Sequence, residues 1–121
     1  MNIQVNSDSN IRVSPRLTKI VEETVHNVLG RFEAKLTRVE VHLSDVDNTK
    51  SGKPDKRCVI EARPAGDTPR STSALAGNVV SSVGQAARKM QRSLTTFFDR
   101  KNPAVTGVKQ RSRRVAALGT S

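Results

Sequence analysis

The stretch "RVEVHLSDVDNTKSGKPDKRCVIEARPA" (Arg38–Ala65) decides the fold. Its first residues alternate strictly. Val39, Val41 and Leu43 face one way, and Arg38, Glu40, His42 and Ser44 face the other. A period of two with one apolar side is the pattern of a half-buried strand. The same pattern returns downstream, with Cys58, Ile60 and Ala62 on one side and Arg57, Glu61 and Arg63 on the other. Between them lies "DNTKSGKPDK" (47–56), a polar loop containing Gly and Pro. Two strands joined by so short a loop pair antiparallel.

Working outward from this hairpin, "GDTP" (66–69) reads as a turn and "RSTSALA" (70–76) as a fourth strand, needed to carry the chain from the turn to the helix that follows. Upstream, "VSPRLTKIVEETVHNVLGRF" (13–32) reads as a helix. Ser14 is placed to cap it and Pro15 to occupy N1, where a missing N–H costs nothing. Leu17, Ile20, Val21, Thr24 and Val28 share one face at the helical period, and Gly30 marks a stop or a bend. At the start, "NIQVN" (2–6) alternates and "SDSN" breaks it, so a short first strand is expected. A second helix runs from about Val79 to Arg100, capped by Asn78, with Val80, Val83, Ala87, Met90, Leu94 and Phe97 as its apolar stripe. Pro103 ends it.

The expected fold is α+β, in the order β-α-β-β-β-α. Four strands form a mixed sheet: the first two parallel through a helical crossover, the last three an antiparallel meander. Two helices pack on one face. The other face carries Arg38, Glu40, His42, Arg57, Glu61 and Arg63 and is left to water or a partner. Residues 1–101 form the domain, and 102–121 read as a basic tail, disordered in isolation, with Lys109, Arg111, Arg113 and Arg114 clustered.

The charge is distributed unevenly. Residues 1–67 hold 11 Lys and Arg against 10 Asp and Glu, whereas residues 68–121 hold 10 against a single acid, Asp99. Such asymmetry points to a polyanion, and nucleic acid is the commonest one in a cell. On the second helix Arg88, Lys89, Arg92 and Arg100 fall opposite the apolar stripe. A solvated face is the plain explanation of such a run. The basic tail that continues it, and the near absence of balancing acids, favour phosphate binding.

Other chemistries find little support. The chain has three Phe and no Trp or Tyr, and none lies on a strand, so a platform of exposed rings for stacking bases is not expected. Recognition would be by backbone shape and charge. His26 and His42 read as surface histidines, and no metal site is expected. Cys58 alternates with Ile60 and Ala62, so it reads as a buried thiol rather than a nucleophile. As the only cysteine it allows no internal disulfide. No nucleotide-binding loop or catalytic triad pattern is present, so no enzyme activity, cofactor or small-molecule substrate is expected. "SGKPDK" (51–56) reads equally well as an RNA-touching loop or as a hairpin tip. "MNIQVNSDSN" lacks the features of a secretory signal and no apolar run is long enough to span a membrane, so a cytoplasmic protein without membrane contact is expected.

Three stretches resemble the ribosome hibernation-promoting factor and ribosome-associated inhibitor family, short form. "NIRVSPRL" (10–17) is similar to that family's Asn, two residues, aliphatic, Ser or Thr, two residues, Leu at the start of helix one. "RVEVHLSD" (38–45) is similar to its second strand. "RKMQRSL" (88–94) resembles its Lys-aliphatic-x-Arg-x-Leu in helix two, with Lys89 and Arg92 on the matching basic positions. "DKRCVIEARPAG" (55–66) resembles a short branch of the family. The resemblance spans roughly residues 1–101. It departs at Ser9, where the family often has a basic residue, and in "RSTSALAGNVVSSVG" (70–84), which lacks the usual acids.

The resemblance implies a monomer that binds the small ribosomal subunit, through its rRNA, in the channel of mRNA and of the A- and P-site tRNAs. It would inhibit translation sterically in idle ribosomes. Arg88, Lys89 and Arg92 are then the expected phosphate contacts, followed by Arg100, Lys101 and the tail residues Lys109, Arg111, Arg113 and Arg114, with Arg16 and Lys19 at the start of helix one extending the set. Long-form relatives add a C-terminal domain that pairs ribosomes; a short basic tail here makes pairing unexpected. Two rivals remain: a generic double-stranded RNA or nucleic-acid-binding module, which shares the α-β-β-β-α layout, and an interaction protein whose basic tail meets an acidic partner or anionic membrane.

Overall fold

A computed structural model describes residues 1–9, 11–46 and 55–101. The chain divides into two compact units, Met1–Gln91 and Arg92–Ser121. Residues 47–54 of the expected loop 47–56, Asn10 and the tail 102–121 lie outside the described residues.

The elements are β1 (Asn2–Ser7), α1 (Pro15–Leu29), a 3₁₀ helix (Gly30–Lys35), β2 (Leu36–Asp45), β3 (Lys56–Pro64), β4 (Arg70–Ala76) and α2 (Val79–Lys101). The order β-α-β-β-β-α is that read from the sequence. The sheet order is β1-β2-β3-β4, with β1 parallel to β2 and the other pairs antiparallel.

Local chemistry sets the element ends. Ser14 is extended (φ −84°, ψ 162°), and its side-chain oxygen accepts the Leu17 N–H at 3.1 Å, with Pro15 beginning the helix. The Asn78 side chain accepts the Ser81 N–H at 2.8 Å and so caps α2. Gly30 is the C-cap at which α1 stops, as expected. It is right-handed helical (φ −60°, ψ −30°) and leads into the 3₁₀ helix. The turn before β4 comes two residues earlier than expected. The Asp67 N–H donates to the Pro64 carbonyl at 3.1 Å, and Gly66 takes φ +75°, a conformation that favours glycine.

The core of the first unit lies between one sheet face and the helices. Val39, Val41, Leu43, Cys58, Ile60, Ala62, Ala74 and Ala76 are buried from the sheet, and Val21, Val25 and Leu29 from α1. From α2 come Val83, Ala86, Ala87 and Met90. Fully burying a Leu, Val or Met side chain stabilises the fold by about 1.5–3 kcal/mol relative to exposure. Two polar links join these elements, one from β4 to α2 and one from α2 to α1. Thr72 donates its hydroxyl to the Ala86 carbonyl at 2.9 Å, and the Gln91 amide donates to the Val28 carbonyl at 3.0 Å.

Both helical stripes differ from the sequence reading. In α1 the deepest line is Val21, Val25 and Leu29, while Leu17, Ile20, Thr24 and Val28 are only half-buried. The apolar arc of α1 is wide, and the neighbouring elements decide which part of it lies deepest. In α2, Val80 in the first turn is exposed and Ala86 is buried.

The described part of the second unit is the end of α2. Leu94 is fully buried there. Phe97 and Phe98 are half-buried and meet edge to face, with ring centroids 5.0 Å apart at 77°.

Candidate nucleic-acid interface

The exposed positions of α2 are Val80, Ser81, Gln85, Arg88, Lys89, Arg92, Thr96, Asp99, Arg100 and Lys101. In the first unit, Arg88 forms no ion pair among the described residues. Its guanidinium lies back along the helix: a Cβ on Gly84 would sit 3.3 Å from Arg88 Nη1. Glycine one turn earlier leaves that space open.

Lys89 is exposed but turned onto the sheet. Its ammonium donates to the Ser73 carbonyl at 2.8 Å. β4 is an edge strand, whose outer carbonyls need donors, and a lysine there also discourages pairing with another chain. The sequence reading had Lys89 pointing outward like Arg88; the structure gives it this second task. Lys89 borders a groove of about 350 Å³ with Val46, Arg57, Ser73, Ala74 and Leu75.

In the second unit, Arg92 and Arg100 are exposed and form no ion pair among the described residues. Lys101 Nζ lies 5.9 Å from the Phe97 ring centroid, at the outer range of a cation–π contact. Arg100 and Lys101 occupy the last turn of α2, where cations complement the helix dipole. Helix stability alone therefore accounts for some of their presence. It does not account for Arg16. That residue is exposed in the first turn of α1, where a cation works against the dipole, and neither helix has an acid in its first turn. Lys19 is exposed one turn on. Lys109, Arg111, Arg113 and Arg114 lie outside the described residues.

The open face of the sheet, which sequence reasoning left to water or a partner, is organised in rows. Strand register sets Arg38 opposite Arg63, Glu40 opposite Glu61, His42 opposite Val59 and Ser44 opposite Arg57. Glu40 joins two neighbours, with Arg38 Nε at 3.1 Å from Oε2 and His42 Nε2 at 3.2 Å from Oε1. One ligand atom from each of Glu40, His42 and Glu61 can be drawn so that all lie within 4.8 Å of one another. The sequence reading placed all three residues on this face and expected no metal site. Glu40 lies two residues from His42 on the same strand face, and only the pairing of β2 with β3 brings in Glu61. Arg57 and Arg63 are exposed cations on this face.

Lys56 contributes less free charge than its type suggests. Its ammonium bonds to Asp55 at 2.9 Å and Asp45 at 3.3 Å. The hydrogen bond it donates to Asp55 is the main cause that holds its pKa above the ordinary value, with Asp45 adding to it. Burial pushes the Cys58 thiol up to about 12, which fits an inert core residue. Phe32 is buried beneath Arg31, whose guanidinium carbon lies 4.8 Å from the ring centroid. Among the described residues no helix is long and apolar enough to cross a membrane.

Comparison with known proteins agrees with this architecture. The family described as Sigma 54 modulation protein / S30EA ribosomal protein matches residues 3–102. No curated protein sequence matches the chain. Among solved structures, a ribosomal subunit interface protein from Coxiella burnetii superposes with a TM-score of 0.65 at 16% identity, over 80% of this chain and 97% of its own. The N-terminal domain of Thermus thermophilus Protein Y gives 0.63 at 17% identity, over 80% of this chain and 99% of its own. At such identities the two structures speak for the fold.

Proposed function

Because the chain belongs to the sigma 54 modulation protein / S30EA ribosomal protein family, we propose that it binds the small ribosomal subunit in the mRNA and tRNA channel and inhibits translation by occupying it. The mechanism is steric: the bound domain and mRNA or tRNA compete for one groove. It forms no covalent intermediate and uses no cofactor. The protein acts in the cytoplasm as a monomer. The observation that carries the reading is the family match over residues 3–102 joined to the exposed Arg88, Arg92 and Arg100 of α2, which form no ion pair among the described residues.

Arg88 and Arg92 are the leading phosphate contacts. Lys89 can share its ammonium between Ser73 and a phosphate, since an ammonium has three donors. Arg16, Lys19, Arg100 and Lys101 extend the contact set, as do Lys109, Arg111, Arg113 and Arg114 by their charge. The description of one similar structure as a ribosomal subunit interface protein supports the choice of partner. A generic double-stranded RNA module is the second reading. The extra strand β1, paired parallel to β2, speaks against it.

Sedimentation of a cell lysate tests the proposal. The protein is expected to travel with small subunits at low salt and to leave them at high salt, with naked RNA duplex failing to compete. Co-sedimentation that survives nuclease and high salt, or equal binding to free duplex, would overturn it.

A further inference from the structure

The open sheet face holds a cluster that the RNA-binding reading does not use. Glu40 and Glu61 stand directly opposite each other on the two central strands. Like charges so placed are destabilising. Glu40 is partly compensated by Arg38 and His42. Glu61 is half-buried and makes no hydrogen bond or ion pair among the described residues. A carboxylate left unpaired against a second one, beside an imidazole, lacks a cation.

The geometry fits a small one. Zinc binds imidazole nitrogen and carboxylate oxygen at about 2.0–2.2 Å, so tetrahedral ligand atoms lie roughly 3.3–3.5 Å apart. Glu40 Oε1 and His42 Nε2 are already 3.2 Å apart, and one ligand atom from each of Glu40, His42 and Glu61 lies within 4.8 Å of the other two. No hydrogen bond or ion pair among the described residues holds the Glu61 carboxylate away from the other two. The donors project from paired strands, whose register fixes their spacing. Arg38 holds the other oxygen of Glu40, as outer-shell partners of metal ligands do. One nitrogen and two carboxylates suit a borderline ion such as zinc better than calcium or magnesium, which call for more oxygens.

We propose that Glu40, His42 and Glu61 form a binding site for a divalent transition-metal ion of the zinc type, with its remaining coordination open to solvent. Two carboxylates balance the ion's charge. The open side takes water or a donor atom from whatever docks on this face.

Calorimetric titration of the chelator-treated full chain with Zn²⁺ tests this. One ion per chain is expected, bound at least tenfold more weakly by Glu61→Gln and by His42→Ala. His26→Ala serves as the control, because His26 shares a surface depression with Glu22 and Glu23 on α1; it is expected to match the wild type. Without zinc, Glu61→Gln is expected to melt no lower than the wild type, since it removes a like-charge opposition. No saturable binding, binding that survives both substitutions, or loss only in His26→Ala would overturn the proposal.

Discussion

Arg88→Glu combined with Arg92→Glu reverses two charges on α2 and removes nothing the fold depends on. Both residues are exposed and neither has an ion pair among the described residues. Glu and Arg have similar helix propensity, so the cost in stability should stay within about 0.5 kcal/mol. The cost in RNA binding is larger. Each phosphate contact contributes about 0.7–0.9 to the slope of log affinity against log salt, so two contribute about 1.4–1.8. Over a fourfold rise in salt, those two contacts account for roughly 7- to 12-fold in affinity. Glutamate adds repulsion to their loss. Binding at moderate salt should therefore fall tenfold or more, about 1.4 kcal/mol. The assay is co-sedimentation with purified small subunits across a salt series, with circular dichroism to confirm folding. Glu22→Lys with Glu23→Lys, on α1, is expected not to reproduce the loss. A folded double variant with unchanged affinity and slope would refute the assignment and leave the basic side of α2 a solvated surface.

Two further outcomes test the packing. Burial holds the Cys58 thiol protonated up to about 12, against an ordinary value of 9.0. The unfolded chain therefore loses that proton first, and stability should fall as pH rises from 9 toward 12, by up to about 1.4 kcal/mol per pH unit. Urea unfolding of Cys58→Ala at pH 8, 9 and 10 should show a flatter decline than the wild type; parallel declines would mean the thiol is accessible in the fold. Gly84→Ala should raise stability by about 0.5–1 kcal/mol, since alanine favours the helix and its Cβ meets only the mobile end of Arg88. A drop in melting temperature would show that Gly84 is pressed against something less yielding.

Much of the fold was legible because its signals are local. Alternation over Arg38–Ser44 and Arg57–Arg63 defines strands whichever neighbours they find. Ser14 with Pro15, and Asn78, mark helix starts through bonds to their own next turns. The parallel placement of β1 beside β2 follows from the helix between them. The basic side of α2 was legible too, because opposite sides of a helix separate by arithmetic alone. What escaped were positions set by neighbours distant in sequence.

The sequence by itself determined element order, sheet topology and the uneven charge, since these rest on residue periodicity and composition. The tertiary structure decided that Val25 and Leu29, rather than Leu17 and Val28, form the deepest line of α1, because an apolar arc carries no record of what presses on it. It decided that Lys89 bends to the Ser73 carbonyl, because the exposed edge of β4 offers an acceptor that only the assembled sheet creates. It also decided that Glu61 stands against Glu40 beside His42. Glu61 and His42 are brought together by the pairing of β2 with β3, and a shift of register by one residue would send Glu61 to the other face.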